Sequence, residues 1–334
     1  MKQKHGWVAA LLVACVCSLV ACGKPASPAS SGKCWKIDAI RFNDGSSFYT
    51  RHVDAVRQAL GKAGYSEGKD FVIRERSAQN ELSNVPQLID AALTDQTDLI
   101  LTFQSPVLYT AIQKAPKVNK AFAILSDPFA LGAGQSDTDH LPNVVGCYAP
   151  SPVKAMLEVA RECNPKLKRL GTLFMIGDAE SEKLKDSLAA VAKAQGVTLV
   201  AQGYSTQGEI VEAIRALTIK KVDALMPITD GRVRVVYPLL SKAAVEQKIP
   251  LLTFWPAEGV KASLICRNDA VKNGAADAFG QMVVRVLEGE DARKIPFFNA
   301  MGTEPYLTVD LTTARECGLV VPEAVVKRAM KVIQ

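Results

Sequence analysis

The chain has 334 residues, room for about two domains of 100–200 residues each. With 48% hydrophobic and 22% charged residues it has the balance of a folded globular protein, which excludes wholesale disorder, collagen and a polytopic membrane protein. The net charge of +6 includes Lys2 and Lys4, no Lys/Arg run exceeds two residues, and the only histidines are His5, His52 and His140, so neither nucleic acid nor a metal or other cofactor is expected.

Lys2 and Lys4 form a positive start, and Trp7 to Val20 is an apolar stretch of signal length, too short for a comfortable membrane span. It ends in Leu19-Val20-Ala21-Cys22-Gly23, which resembles the lipobox of bacterial lipoproteins. The expectation is a signal peptide over 1–21, lipidation of Cys22 and a Pro/Ser/Gly-rich tether over 22–32. An ordinary secretory signal with a chance Cys is the alternative. Cys34, Cys147, Cys163, Cys266 and Cys317 then remain, an odd number without a CxxC motif, so at least one thiol stays free or pairs outside the chain.

Strands and helices alternate through the rest. Lys36–Phe42 reads as a strand. Phe48–Ala63 has helical periodicity, with Val53, Val56, Leu60 and Ala63 on one face and Gly64 as its stop. Phe71–Arg74 is a short strand, Val85–Leu93 a helix and Asp98–Phe103 a buried strand. Ser105-Pro106 opens the next helix with Ser as N-cap. Strands follow at Ala121–Leu125 and Asn143–Cys147.

A second series starts with a helix from Ser151-Pro152 to Arg161. Strands at Arg169–Met175, Val197–Gln202, Ala224–Pro227 and Pro250–Phe254 alternate with helices at Ser181–Ala194, Glu209–Leu217 and Val233–Gln247. Helices at Asp269–Leu287 and Pro322–Val332 complete the chain. Such alternation implies an α/β protein of two Rossmann-like lobes with parallel sheets built from right-handed βαβ units.

Catalytic motifs are missing. Gly64 to Asp70 has the wrong spacing for a phosphate loop, and there is no GxGxxG, GxSxG or HExxH. His52, inside a helical pattern, reads as an ordinary surface or half-buried histidine rather than a base. What remains is a set of strand ends with small polar residues, where open parallel sheets bind ligands. They are Phe42-Asn43-Asp44, Gln104-Ser105-Pro106, Ser126-Asp127-Pro128, Thr229-Asp230-Gly231 and Phe254-Trp255-Pro256. Ser105 and Ser126 offer hydroxyls beside helix N–H groups, a combination suited to a carboxylate. Asp127, Asp230 or Asp269 would neutralise an ammonium, and Phe42, Tyr148, Phe254 and Trp255 would form apolar walls. Each also has a plain structural reading, as a cap, a turn or a core residue.

The order of these segments resembles the substrate-binding proteins of ATP-driven importers, in the branch linked to tryptophan or tyrosine. The resemblance rests on Ser105-Pro106, Ser126-Asp127-Pro128 with Gly132-Ala133-Gly134, Asn143-Val144-Val145-Gly146 and Ser151-Pro152-Val153. It continues through Pro165, Lys168-Arg169 and Gly171, then Lys248-Ile249-Pro250, Asp269, Cys317-Gly318-Leu319 and Pro322-Glu323. Departures fall at the pocket: Gly231, Asp178-Ala179-Glu180-Ser181, Ala270 and Phe254-Trp255 replace the family's usual residues.

The resemblance implies a type I periplasmic binding protein with a multi-segment hinge. Lobe 1 would comprise 33–148 and about 266–300, and lobe 2 would comprise 149–265 and about 301–334. It implies a non-enzymatic monomer, exported and lipid-anchored, facing the periplasm or, with a single membrane, the cell surface. The protein would capture a small molecule, an amino acid with an aromatic one as the narrower expectation, for an ABC permease driven by a cytoplasmic ATPase. The family arrangement also puts Cys163 and Cys317 together in lobe 2, with a disulfide as one reading and two buried thiols as the other. An orphan receptor feeding a signalling sensor is the alternative function. A secreted enzyme lacks a catalytic group here, and a transcription regulator would need a DNA-binding segment where the export signal stands.

Overall fold

The computed structural model describes residues 33–43, 47–176, 179–228, 233–254, 259–268, 274–301 and 305–334. The first lobe contains β1 (Trp35–Arg41), α1 (Ser47–Lys62), β2 (Phe71–Ser77), α2 (Asn84–Thr94), β3 (Leu99–Phe103), α3 (Ser105–Lys114), β4 (Asn119–Ala123) and β5 (Val144–Tyr148). The chain then crosses to α4 (Val153–Cys163), β6 (Arg169–Met175), α5 (Ala179–Ala194), β7 (Thr198–Tyr204), α6 (Ile210–Ile219), β8 (Ala224–Leu225), α7 (Val233–Glu246), β9 (Leu252–Thr253) and β10 (Leu264–Arg267). It returns to the first lobe with α8 (Ala275–Leu287) and β11 (Phe298–Asn299). It ends in the second with β12 (Tyr306–Asp310), α9 (Leu311–Glu316), α10 (Glu323–Arg328) and β13 (Lys331–Ile333).

The first sheet has the order β11-β5-β4-β3-β1-β2, with every pairing parallel. Its central strands are apolar on both faces, as helices on both sides require. Ile37, Ala39, Leu99 and Leu101 pack toward α1 and α8; Ile40 and Ile100 pack toward α2 and α3. The expected face of α1 is the buried one, with Val53, Val56 and Leu60 at 0–1% exposure. The sequence reading ends β2 at Arg74, but the strand continues through Glu75 and Arg76. They stay in the strand because they have partners: Arg74 and Arg76 reach buried Asp38 on β1 at 2.5 and 2.6 Å, and Glu75 accepts from Tyr49.

The second lobe joins β7-β6-β8 to β13-β12-β10-β9 through a parallel bridge between Leu225 and Leu251. Here the sheet departs from the all-parallel expectation, since β12 runs antiparallel to β10. The cause is the crossing. β10 ends at the cleft, the chain visits the first lobe, and it re-enters at the cleft with Tyr306 opposite Arg267. It can only run away from the cleft. The helix expected over Pro322–Val332 is also corrected: α10 stops at Arg328, and Lys331–Ile333 pairs with β12 as an edge strand.

The order β2-β1-β3-β4 reverses direction between β1 and β3, which opens a crevice beyond their carboxyl ends. Gln104, just after β3, holds that point together. Its N–H donates to Ala123 O, and its side-chain Oε1 accepts from the backbone N–H of Phe42 and Asn43 at 3.0 and 3.2 Å. To do this it adopts φ +74°, in the left-handed region, where side chains other than Asn, Asp or Gly are uncommon. The expected cap on α3 is therefore corrected. Gln104 is the N-cap residue, and Ser105 is a buried residue of the first turn.

Two outcomes are expected. Gln104→Met keeps the length but removes the acceptor from two inward-facing N–H groups, and should lower stability by about 2–4 kcal/mol in urea unfolding. An unchanged midpoint would show that Gln104 is not the tie at the switch point. At Gly280 of α8, an added Cβ would lie 2.6 Å from Ala55 O of α1. Gly280→Ala should push the two helices apart and cost about 1–3 kcal/mol, despite alanine's better helix propensity, in the same measurement.

Candidate functional site

A cavity of about 680 Å³ lies between the lobes. The first lobe contributes Ser126 and Asp127 from beyond β4, Phe129 from a short 3-10 turn, and Tyr148 at the end of β5. The second contributes Val153, Lys154 and Glu158 of α4, Leu184, Ser187 and Leu188 of α5, Ile228 after β8 and Phe254 after β9. The crossing segments close its floor with Pro150, Asn268, Met301 and Pro305. The wall is mainly apolar, with Asp127 and Glu158 as its acids and Lys154 as its cation among the described residues. Lys154 stands 4.0 Å from Glu158, one turn on along α4.

Tyr148 is held in place. Its hydroxyl donates to Asp137 Oδ1 at 2.9 Å, and its ring meets Phe129 edge-on at 5.6 Å. Burial, with the neighbouring Asp137 carboxylate, drives its phenol pKa well above the ordinary tyrosine value. Phe129 in turn stacks on Phe297, which meets Phe122 edge-on. The aromatic wall is thus an extension of the first lobe's core, and Tyr148 has little freedom to turn away.

Behind Tyr148 a recess of about 40 Å³ is lined by Phe48, His52, Leu125, Cys147, Arg267 and Asn268, among others. His52 Nδ1 faces Phe48 O at 2.7 Å and so carries the proton, while Nε2 faces Cys147 Sγ at 3.7 Å. Burial lowers the His52 pKa and pushes the Cys147 thiol up to about 12. A neutral imidazole beside a firmly protonated thiol is no nucleophile–base pair. Among the described residues, no cluster of three or more His, Cys, Asp or Glu could hold a metal ion.

Of the residues expected at the site, Ser126, Asp127, Tyr148 and Phe254 line the cavity. Phe42 is instead packed in the core beside Ala78 and Val107. Asn43 and Gln104 are joined by the hydrogen bond described above, and Ser105 is buried in α3. Asp127 does double duty: its Oδ1 accepts from the N–H groups of Phe129 and Ala130, so the protein's own carboxylate fills the donors expected to meet a ligand. Asp230, Trp255 and Asp269 lie outside the described residues, as does Cys22. Cys163 and Cys317 are separate buried free thiols, which corrects the disulfide reading: Cys163 lies near Glu162 and Arg328, Cys317 beside Ser263.

Sequence reasoning missed the wall given by α5. Leu184, Leu188 and Val191 repeat at helical spacing, the pattern of a core-facing stripe. All three line the cavity while also packing against the lobe's core, and periodicity cannot tell a core from a cavity. Asn268 was missed beside Asp269. Its side-chain amide donates to Pro150 O and ties two crossing segments together.

Comparison with known proteins agrees with this architecture. The chain is 27% identical over 257 residues to a tyrosine-binding protein of Clostridioides difficile, an alignment covering 77% of this chain and 74% of that protein. It superposes on an ABC domain from Streptococcus pneumonia in complex with L-Trp, with a TM-score of 0.75, 20% identity, and coverage of 89% of this chain and all of that one. It superposes also on a conserved domain protein of Vibrio cholerae, with a TM-score of 0.76, 22% identity, and coverage of 90% of this chain and all of that one. The profile of the ABC transporter substrate binding protein family matches residues 36–333, nearly all of the described chain, and the protein belongs to that family.

Proposed function

We propose that the protein is an exported, lipid-anchored receptor that captures one small zwitterion, an aromatic amino acid, and delivers it to an ABC permease. It carries out no chemistry of its own. The observation that carries this reading is a single cavity whose walls come from both lobes: Tyr148 and Phe129 on one side, Ile228, Leu188 and Phe254 on the other. A ligand touching both walls favours the closed arrangement, because only there does it make all its contacts at once. The apolar lining suits an aromatic side chain. Asp127 on the wall supplies an acid for an ammonium, and Asp230 and Asp269 are the further acids that the sequence offers for that role. The tyrosine-binding relative and the L-Trp complex support the same ligand class. The lipobox ending in Cys22 supports the anchor, since two or three acyl chains hold a protein on a membrane where one does not.

Calorimetry of protein stripped of carried-over ligand, against the twenty amino acids, tests the ligand. Tyrosine or tryptophan should give the strongest binding, and Phe254→Ala should weaken it at least about tenfold through lost burial and ring contact. No heat with any amino acid would reject this ligand class. The anchor is tested by Cys22→Ala, which should release the protein from membranes. A variant that still sediments with membranes after a high-salt wash would rule out the lipid.

A further inference from the structure

We infer that Arg267 is the carboxylate anchor of the binding site, and that the recess behind Tyr148 is the subsite which takes that carboxylate. This rests on the ligand class proposed above and names the group that fixes the ligand's orientation.

Arg267 is the last residue of β10, half-buried, and lines the recess that adjoins the large cavity at Tyr148 and Asn268. Its guanidinium lies over the ring of Tyr306, its cross-strand partner, at 4.7 Å. Apart from that stacking, it makes no hydrogen bond or ion pair with any described residue. Elsewhere among the described residues, arginines of similar burial are ion-paired: Arg74 and Arg76 share Asp38 and Asp95, and Arg57 is held by Asp54, Glu67 and Glu75. A planar fork of five N–H donors, held by a ring face and left without an acceptor beside a ligand cavity, is an arrangement that a carboxylate completes.

The surroundings favour an anion there and nowhere else along the described wall. Among the described residues no Asp or Glu lines the recess, and its other titratable groups, His52, Cys147 and Tyr148, are buried and neutral. Lys154, the cation on the large cavity, already has Glu158 beside it and is largely exposed. The N–H groups of Phe129 and Ala130, beside Ser126, are occupied by Asp127. The recess has room for a carboxylate but not for a ring, so the aromatic body must lie in the large cavity, with the ammonium between them on the Asp127 side.

The test is calorimetry of the stripped full chain with L-tyrosine and L-tryptophan, their carboxamides, and the deaminated acids 3-(4-hydroxyphenyl)propionate and indole-3-propionate. Wild type should bind each amino acid about 30-fold or more tightly than its carboxamide. Arg267→Gln should lose that factor for the acids and change little for the carboxamides, with Arg267→Lys in between because it keeps the charge without the fork. Thermal midpoints check the fold. If Arg267→Gln does not fold, the wild-type acid-to-amide ratio and Arg267→Lys decide. Amino-acid binding that is indifferent to Arg267, or equal binding of acid and carboxamide, overturns this inference and leaves the proposed ligand class standing. Arg267-dependent binding of the deaminated acids without the amino acids supports the anchor and rejects the amino-acid reading. Binding of none of these probes overturns both.

Discussion

The cleft depends first on what Gln104 does at the break in strand order. Where β1 and β3 part, their following loops leave to opposite sides of the sheet, and two backbone N–H groups at the end of β1 face inward without a strand to pair them. One side-chain carbonyl accepts from both, while the same residue's N–H holds β4. Backbone strain of order 1–3 kcal/mol at a left-handed residue is offset by the hydrogen bonds from Phe42 and Asn43 to its side chain, two that a glycine could not supply. The strand ends of the first lobe therefore stop at one level, and the aromatic wall of Phe129 and Tyr148 is built on that level.

Much of this fold was legible because parallel strands are written twice, once as apolar runs and once as the helical stripes between them. β3 and β5 are buried along their length and β1 through its middle, and α1 presents the predicted face. Legibility failed where a partner far along the chain decides the outcome. Glu75 and Arg76 are strand residues only because Asp38 and Tyr49 wait beside them. Lys331–Ile333 is a strand only because β12 has an open edge.

The site was half legible for a related reason. Strand-end rules point to Ser126, Asp127, Tyr148 and Phe254, and all four face the cavity. The same rules point equally to Phe42 and Ser105, which local burial removes. Small polar residues after a strand serve caps, turns and ligands with the same chemistry, and the sequence does not say which donors the protein will use for itself. Asp127 shows the ambiguity in one residue, since it was expected to face a ligand's ammonium and also closes the turn that follows it. Arg267 carries the opposite lesson. As a lone cation at the end of a short strand it has no motif, and it stands out only once its neighbours are known.

The bonds between crossing segments have a mechanical consequence. Asn268 of the second crossing holds Pro150 of the first, and Ala300 N at the head of the third holds Tyr148 O at 2.8 Å. Three chain passages are thereby stitched side by side, like the knuckles of a door hinge on one pin. Shear or twist between the lobes would have to break those stitches, whereas rotation about the line through them would not. Rotation about that line is the motion these bonds resist least, and the line runs beside Tyr148 and Asn268, the two residues shared by the large cavity and its recess. A swing of the second lobe then moves Phe254 and Leu188 through a long arc and Arg267 through a short one. The grip on a ligand's head would be the last to loosen as its body comes free.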